Sequence, residues 1–246
     1  MKDISVLVTG SGRRLGKAIA SAFAWYGARL ILHANKSVAE ARLLAESFPG
    51  GLERHCVVTA DLQDKNAAEN IFSELKGKNI VPDILVNNAA IYSTAGFDGE
   101  TIENYDLFMR VNFYAPLELM THFAASSNRE NRAIVNITDA AVDRLESGAY
   151  AASKRALRDA TVSAAVSFGR KHGIRVNAVA PGPVLAVEGT VDPLSRSRRT
   201  SVLGRVASPE DIAEAVLWLA FNPALTGVVL PVDGGFELGK KFPEGE

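Results

Sequence analysis

The chain carries one cysteine, Cys56, among 246 residues. A single thiol excludes an internal disulfide and every metal site built from several cysteines. It stands in the apolar run His55-Cys-Val-Val, where a free cysteine is expected to be buried and inert. Histidine is scarce as well: His33, His55, His122 and His172 are scattered with no ligand spacing, so no metal site is expected. An excess of one charge is missing, since 27 Lys and Arg face 28 Asp and Glu for a formal net charge of −1. That balance argues against a nucleic-acid or anionic-membrane partner. No segment approaches the roughly 20 apolar residues needed to span a bilayer. The apolar stretch within Met1–Gly10 is too short for a signal peptide and leads straight into a glycine-rich turn, so a soluble, cytoplasmic protein is expected. Of the two tryptophans, Trp25 and Trp218, both fall on helix-period segments and are expected to pack.

What is present is ordinary globular material, 47% hydrophobic and 22% charged. Short apolar, β-branched runs alternate with longer segments of helical period, the pattern of βαβ units and a parallel sheet. The strand candidates are Ile4–Thr9, Arg29–His33, His55–Thr59, Ile84–Asn87, Ala133–Thr138, Arg175–Val179 and Val228–Val232. Most are continuously apolar, as strands covered on both faces must be. Helical segments fall at Leu15–Tyr26, Val38–Phe48, Lys65–Lys76, Ile102–Ala125, Ala149–Lys171 and Pro209–Phe221. The expected architecture is α/β: one doubly wound Rossmann domain over residues 1–246, a parallel sheet of seven strands with helices on both faces. Pro181–Ala207 has no clear period and reads as a substrate lid.

Thr9-Gly-Ser-Gly-Arg-Arg-Leu-Gly16 follows the first strand and opens the first helix. Gly10 and Gly16 let the backbone turn tightly and approach a pyrophosphate, which the N–H groups and positive end of the helix attract. An NAD site usually has an acid at the end of the second strand, for the ribose 2′-hydroxyl. Here that stretch is His33-Ala-Asn-Lys-Ser37, with Arg13 and Arg14 across the turn. Asn35, Lys36 and Ser37 with the two arginines suit a 2′-phosphate, so NADPH is the expected cofactor; a merely solvated basic surface is the alternative.

Tyr150 and Lys154 stand i, i+4 and share a helix face. A nearby ammonium favours phenolate and is expected to lower the tyrosine pKa toward a range useful for proton transfer. Alone, the pair is as compatible with a packed tyrosine and a surface lysine. It is accompanied by TGSGRRLG, Ala60-Asp-Leu62, Asn87-Asn-Ala-Ala90, Val111-Asn112, Asn177-Ala-Val-Ala-Pro-Gly182 and Val232-Asp-Gly-Gly235. With these motifs in order, the chain resembles the short-chain dehydrogenase/reductase family over nearly its whole length. The resemblance implies cofactor contacts at Gly10, Arg13, Arg14, Leu15, Gly16, His33, Asp61, Leu62, Asn88, Ala89, Ala90, Lys154, Pro181 and Gly182. It also implies a water-mediated proton relay through Asn112 and Lys154, and a homotetramer.

Two departures narrow the resemblance. The general pattern has Ser near the end of the fifth strand, where this chain has Thr138-Asp139, and Gly where it has Arg14. Both resemble the pteridine reductases and dihydromonapterin reductases. That subgroup implies Asp139 working with Tyr150 in protonating a pterin, Arg14 touching cofactor phosphate and substrate, and Tyr92 stacking on the ring. Ala90 departs from it, standing where those reductases have a hydroxyl. A ring bearing N–H donors suits a carboxylate acceptor, whereas the oxyanion of a reduced carbonyl would be repelled by one. The expected activity is therefore NADPH-dependent reduction of a small planar substrate, a pterin first. The alternatives are a carbonyl or 3-oxoacyl-thioester reductase using Thr138, a non-catalytic NADP sensor, and Asp139 as a simple strand-end cap.

Overall fold

The computed structural model describes residues 4–142, 148–184 and 194–241. Seven strands form one sheet: β1 (Ser5–Thr9), β2 (Arg29–Ala34), β3 (Cys56–Thr59), β4 (Ile84–Asn87), β5 (Ala133–Ile137), β6 (Arg175–Pro181) and β7 (Val229–Val232). Every pairing is parallel, and the order is β3-β2-β1-β4-β5-β6-β7. Parallel pairing requires a crossover after each strand. The helices that supply these crossovers are α1 (Arg14–Trp25), α2 (Val38–Ser47), the short α3 (Gly51–Arg54), α4 (Ala67–Gly77), α5 (Ile102–Met109), α6 (Ala115–Ala125), α7 (Ala149–His172), α8 (Ser195–Thr200) and α9 (Pro209–Phe221); α10 (Phe236–Lys241) follows β7.

Strand side chains alternate between faces, and the core divides accordingly. Val6, Val8, Leu30, Leu32 and Val135 face α1 and α9, meeting Ile19, Phe23, Ile212 and Val216. Leu7, Ile31, Leu85, Ile134 and Val176 face the other way, onto Ile71, Leu119 and Phe123 of α4 and α6. The chain winds outward from β1 to β3, then returns to β4 on the opposite side of β1. The strand order thus reverses between β1 and β4, and a crevice opens there beyond the C-terminal strand ends.

Helix ends are fixed by sequence. Ser208 and Asp211 form a reciprocal capping box at the start of α9, with Pro209 in its first turn. At its other end, the Arg175 guanidinium donates to the carbonyls of Leu219 (2.8 Å) and Ala220 (2.5 Å). The expected continuous helix from Ile102 to Ala125 is instead broken into α5 and α6 by a π turn at Arg110–Tyr114. The cause is Pro116: it has no N–H to give the carbonyl four residues back, that of Asn112, and its ring crowds that carbonyl. The segments α3, α8 and α10 carry too few residues to show a period, and none was expected from the pattern.

Three other expectations are corrected. Trp25 and Trp218 do not pack: they are 88% and 52% exposed, each the last of an i, i+4 series on a solvent face (Lys17, Ser21, Trp25 and Glu210, Glu214, Trp218). Cys56 is half-buried rather than enclosed, though burial still raises its thiol pKa. The expected lid is only partly unstructured, since α8 lies within it; residues 185–193 fall outside the described chain.

Arg132, at the start of β5 and far along the sheet from the crevice, is fully buried. It donates to the carbonyls of Ser127 (2.8 Å), Phe123 (2.6 Å) and Pro82 (3.3 Å) and to Ser126 Oγ (2.8 Å), with its guanidinium 3.8 Å from the centre of the Phe123 ring. Arg132→Ala leaves several buried acceptors without donors and is expected to lower unfolding stability by about 3 kcal/mol. A urea titration checks this; a loss below about 1 kcal/mol contradicts it.

Candidate active site

The glycine-rich turn lies where β1 hands over to α1. Gly10 has φ +63°, a left-handed conformation that glycine adopts freely. A Cβ on Gly16 would collide with the Gly10 carbonyl and the Asn88 amide, so helix and turn touch backbone to backbone. The turn is also held from β4. Thr9 Oγ1 accepts the N–H groups of Asn88 (2.9 Å) and Ala89 (3.0 Å), while Asn88 Nδ2 donates to the carbonyls of Thr9 (2.8 Å) and Gly10 (3.2 Å). Asn88 is therefore a brace for the turn. Thr9, which nothing but membership of the motif marks in the sequence, is the other half of it.

Around this turn stand the remaining residues expected to meet a cofactor. Arg14 opens α1 at φ +50°, and with Lys17 and Trp25 it lines a groove between α1 and α9. Leu15 follows it in α1. Arg13 is exposed and paired with Glu40 of α2. Asn35 and Lys36 are exposed just past β2, and Ser37 packs so tightly on Gly12 that no Cβ would fit there. Asp61 is exposed after β3, beside buried Leu62. Ala89 and Ala90 follow β4 toward the surface. Pro181 ends β6 and Gly182 follows it, its N–H donating to the Val232 carbonyl (3.1 Å). His33 is the one that differs from expectation. It is 1% exposed and lies beneath the turn, so it has no surface to offer a ribose.

The second cluster grows from β5 and the N-terminal half of α7. Tyr150 Oη donates to Asp139 Oδ2 (2.9 Å), and the other oxygen of Asp139 accepts the Ala141 N–H (2.6 Å). Tyr92 meets the Tyr150 ring edge-on at 4.8 Å and is 62% exposed, an aromatic wall open to the crevice. Phe108 stands at 6.4 Å on another side of Tyr150; nothing in its sequence context marks it. Lys154, one turn along α7, is buried and donates to the Ile137 carbonyl (2.7 Å). Thr138 is 3% exposed and gives its hydroxyl to the Val179 carbonyl (3.1 Å).

The electrostatics reverse one expectation. Burial, the charge of Asp139 and the hydrogen bond to it hold the Tyr150 phenol well above its ordinary range. Lys154 does not lower it: burial depresses the lysine itself to about 8, opposed by the Asp139 carboxylate, and its ammonium is directed at a carbonyl. Desolvation outweighs the i, i+4 proximity that suggested the opposite sign. The Asn112 side chain is bonded on both sides. Its Nδ2 donates to Ile91 O (3.0 Å) and Ser153 Oγ (3.1 Å) and its Oδ1 accepts the Ile91 N–H (2.9 Å). The side chain is committed to the scaffold. Among the described residues, no cluster of His, Cys, Asp or Glu could hold a metal ion, and no helix is long and apolar enough to cross a membrane.

Comparison with known proteins agrees with this layout. A family model described as enoyl-(acyl carrier protein) reductase matches residues 10–237. A short-chain dehydrogenase/reductase of Armillaria gallica is 32% identical over 93% of this chain and 94% of its own length. L-xylulose reductase of Bos taurus is 34% identical over 94% of this chain and 95% of its own. Among solved structures, FolM alternative dihydrofolate reductase 1 of Brucella canis, complexed with NADP, superposes with a TM-score of 0.87 at 28% identity, covering 96% of this chain and 94% of that one. With a seven-stranded parallel Rossmann sheet, the glycine-rich turn at its switch point and near full-length similarity to such relatives, the chain belongs to the short-chain dehydrogenase/reductase family of oxidoreductases.

Proposed function

We propose that this protein reduces a small planar substrate with NADPH, a dihydropterin first among candidates. The observation that carries the reading is the hydrogen bond between Tyr150 Oη and Asp139 Oδ2. It sets a carboxylate beside the proton donor, where reduction of a carbonyl wants a neutral hydroxyl. Thr138, the hydroxyl that a carbonyl reductase would use here, is buried and already bonded to Val179 O. The likeness to an alternative dihydrofolate reductase supports the same choice.

The residues fit a phosphorylated dinucleotide. The positive-φ Gly10 and the backbone contact at Gly16 leave a cradle at the N-terminus of α1 for a pyrophosphate. Exposed Lys36, with Arg14 and Ser37, suits a 2′-phosphate, and no acid ends β2. Pro181, Gly182 and Lys154 suit the nicotinamide end. When bound, this cofactor supplies a hydride. Tyr150 keeps its proton at neutral pH because burial and Asp139 hold its pKa high, which suits a general acid for a ring nitrogen. Asp139 steadies that proton and accepts N–H donors of the ring, and Tyr92 offers an aromatic face. Lys154 and the Asn112 carbonyl return a proton to the pair through water. Val162 and Val166, exposed on α7, suit burial in a homo-oligomer, for which we favour a tetramer. A second reading, reduction of a sugar-like ketone, is favoured by the relative L-xylulose reductase; the carboxylate beside Tyr150 weighs against it.

Three outcomes are expected. Asp139→Ser lowers kcat/KM for a dihydropterin about 100-fold while NADPH affinity is kept; unchanged pterin turnover would falsify the assignment. Lys36→Ala raises the KM for NADPH about tenfold and leaves that for NADH nearly unchanged; equal effects on both reject the 2′-phosphate contact. The third concerns pH. The Lys154 ammonium is lost as pH rises through about 8, so kcat/KM for NADPH, which reports the free enzyme, falls above that pH. Residual activity of Lys154→Arg lacks this alkaline limb; a limb that stays put belongs to another group.

A further inference from the structure

Three donors of the glycine-rich turn end on one residue of the neighbouring strand. The Gly10 N–H donates to His33 Nδ1 (3.3 Å), and Ser11 sends both its N–H (3.0 Å) and its hydroxyl (3.2 Å) to the His33 carbonyl. The far side of the imidazole, Nε2, lies 3.2 Å from the Ala60 carbonyl, one residue before Asp61. These contacts fix the tautomer. Nδ1 accepts a hydrogen bond from a backbone N–H, so it carries no hydrogen, and Nε2 must be the protonated nitrogen that donates to Ala60 O. The ring is 1% exposed. Burial pushes it down to about 4, with the Ala60 carbonyl and the Asp61 charge pulling the other way, so it is neutral throughout the ordinary pH range.

We infer that His33 is a positioning residue for the dinucleotide: its imidazole, as the Nε2–H tautomer that the Ala60 carbonyl selects, holds the phosphate-binding turn at Gly10 to the end of β2. The role rests on the reading of the turn as a dinucleotide site, and it differs from direct contact with a ribose. Two spans are set by one ring. Toward the turn, the Nδ1 acceptor consumes the inward N–H of Gly10, which holds that residue in its left-handed conformation against Ala89 and Asn88. The first N–H groups of α1 have no partner within the helix, and they face a phosphate only if the turn before them keeps its shape. Toward β3, the Nε2 donor holds the carbonyl that precedes Asp61 and Leu62. A protonated ring would present N–H to N–H at Gly10 and break the first span.

Substitution separates the spans. In His33→Asn the amide oxygen stands where Nδ1 does and still accepts from Gly10, but the side chain is too short for Ala60. In His33→Gln the amide reaches toward Ala60 and offers nothing at the Nδ1 position. Leaving the Gly10 N–H without an acceptor is expected to weaken NADPH binding about tenfold in His33→Gln, measured by nicotinamide fluorescence, while His33→Asn stays within about threefold of the wild type. Equal affinities for the two folded variants overturn the inference. A wild type that binds no NADPH overturns the dinucleotide reading itself, so the two failures are distinct. The tautomer has its own signature: 15N spectra of the wild-type protein should show His33 with a bare Nδ1 and a protonated Nε2, unchanged from pH 6 to 8, and an Nδ1–H ring there rejects the proposed lock.

Discussion

Every strand of the sheet runs in the same direction, and the rest of the molecule follows from that constraint. Parallel strands deliver all their C-terminal ends to one edge, so segments far apart in sequence open side by side. Thr9, His33, Ala60, Asn88, Asp139 and Gly182 come from six different strand ends, and each stands at that edge. The reversal of strand order between β1 and β4 keeps their loops from covering one another, which leaves the crevice open. The opposite edge bears features such as the buried Arg132, whose hydrogen bonds hold a strand start and a helix end and serve no chemistry.

Burial then decides the chemistry. Tyr150 and Lys154 lie within one turn of α7, the tyrosine half-buried and the lysine fully so, and loss of solvent disfavours the charged form of each. The phenol keeps its proton and the lysine is ready to lose one. Asp139 shifts both in the same sense, raising the tyrosine and supporting the ammonium. Burial thus sets the protonation of the pair, and the carboxylate reinforces it at the tyrosine and opposes it at the lysine.

Much of this was legible in the sequence. Short apolar, β-branched runs marked all seven strands to within two residues, because strands covered on both faces carry few polar residues, Asn136 and Asn177 among them. The glycine-rich turn was legible for a similar reason: Gly10 and Gly16 stand where a side chain is sterically excluded. The sign of the Tyr150 shift was not legible, since spacing along a helix reports proximity and says nothing about solvent. The π turn at Asn112 was hidden by a helical period that continues through it, although Pro116 was the signal. Residue type suggests that Trp25 and Trp218 pack, but their i−4 neighbours, Ser21 and Glu214, place them on polar helix faces. The Tyr150–Asp139 bond spans 11 residues of chain, a separation that motif spacing does not convert into distance. The place of His33 at the end of β2 marks it in the sequence, yet only its burial reveals that it faces the protein.

The carboxylate beside Tyr150 is the feature on which the choice of substrate rests. The most direct measurement is NADPH oxidation by the wild-type protein against dihydrobiopterin, dihydromonapterin, dihydrofolate, xylulose and an acetoacetyl thioester in parallel. A carboxylate-assisted acid predicts that a dihydropterin has the highest kcat/KM, by about tenfold or more over either carbonyl compound. Turnover of the ketose or the thioester with none of the pterins would contradict it.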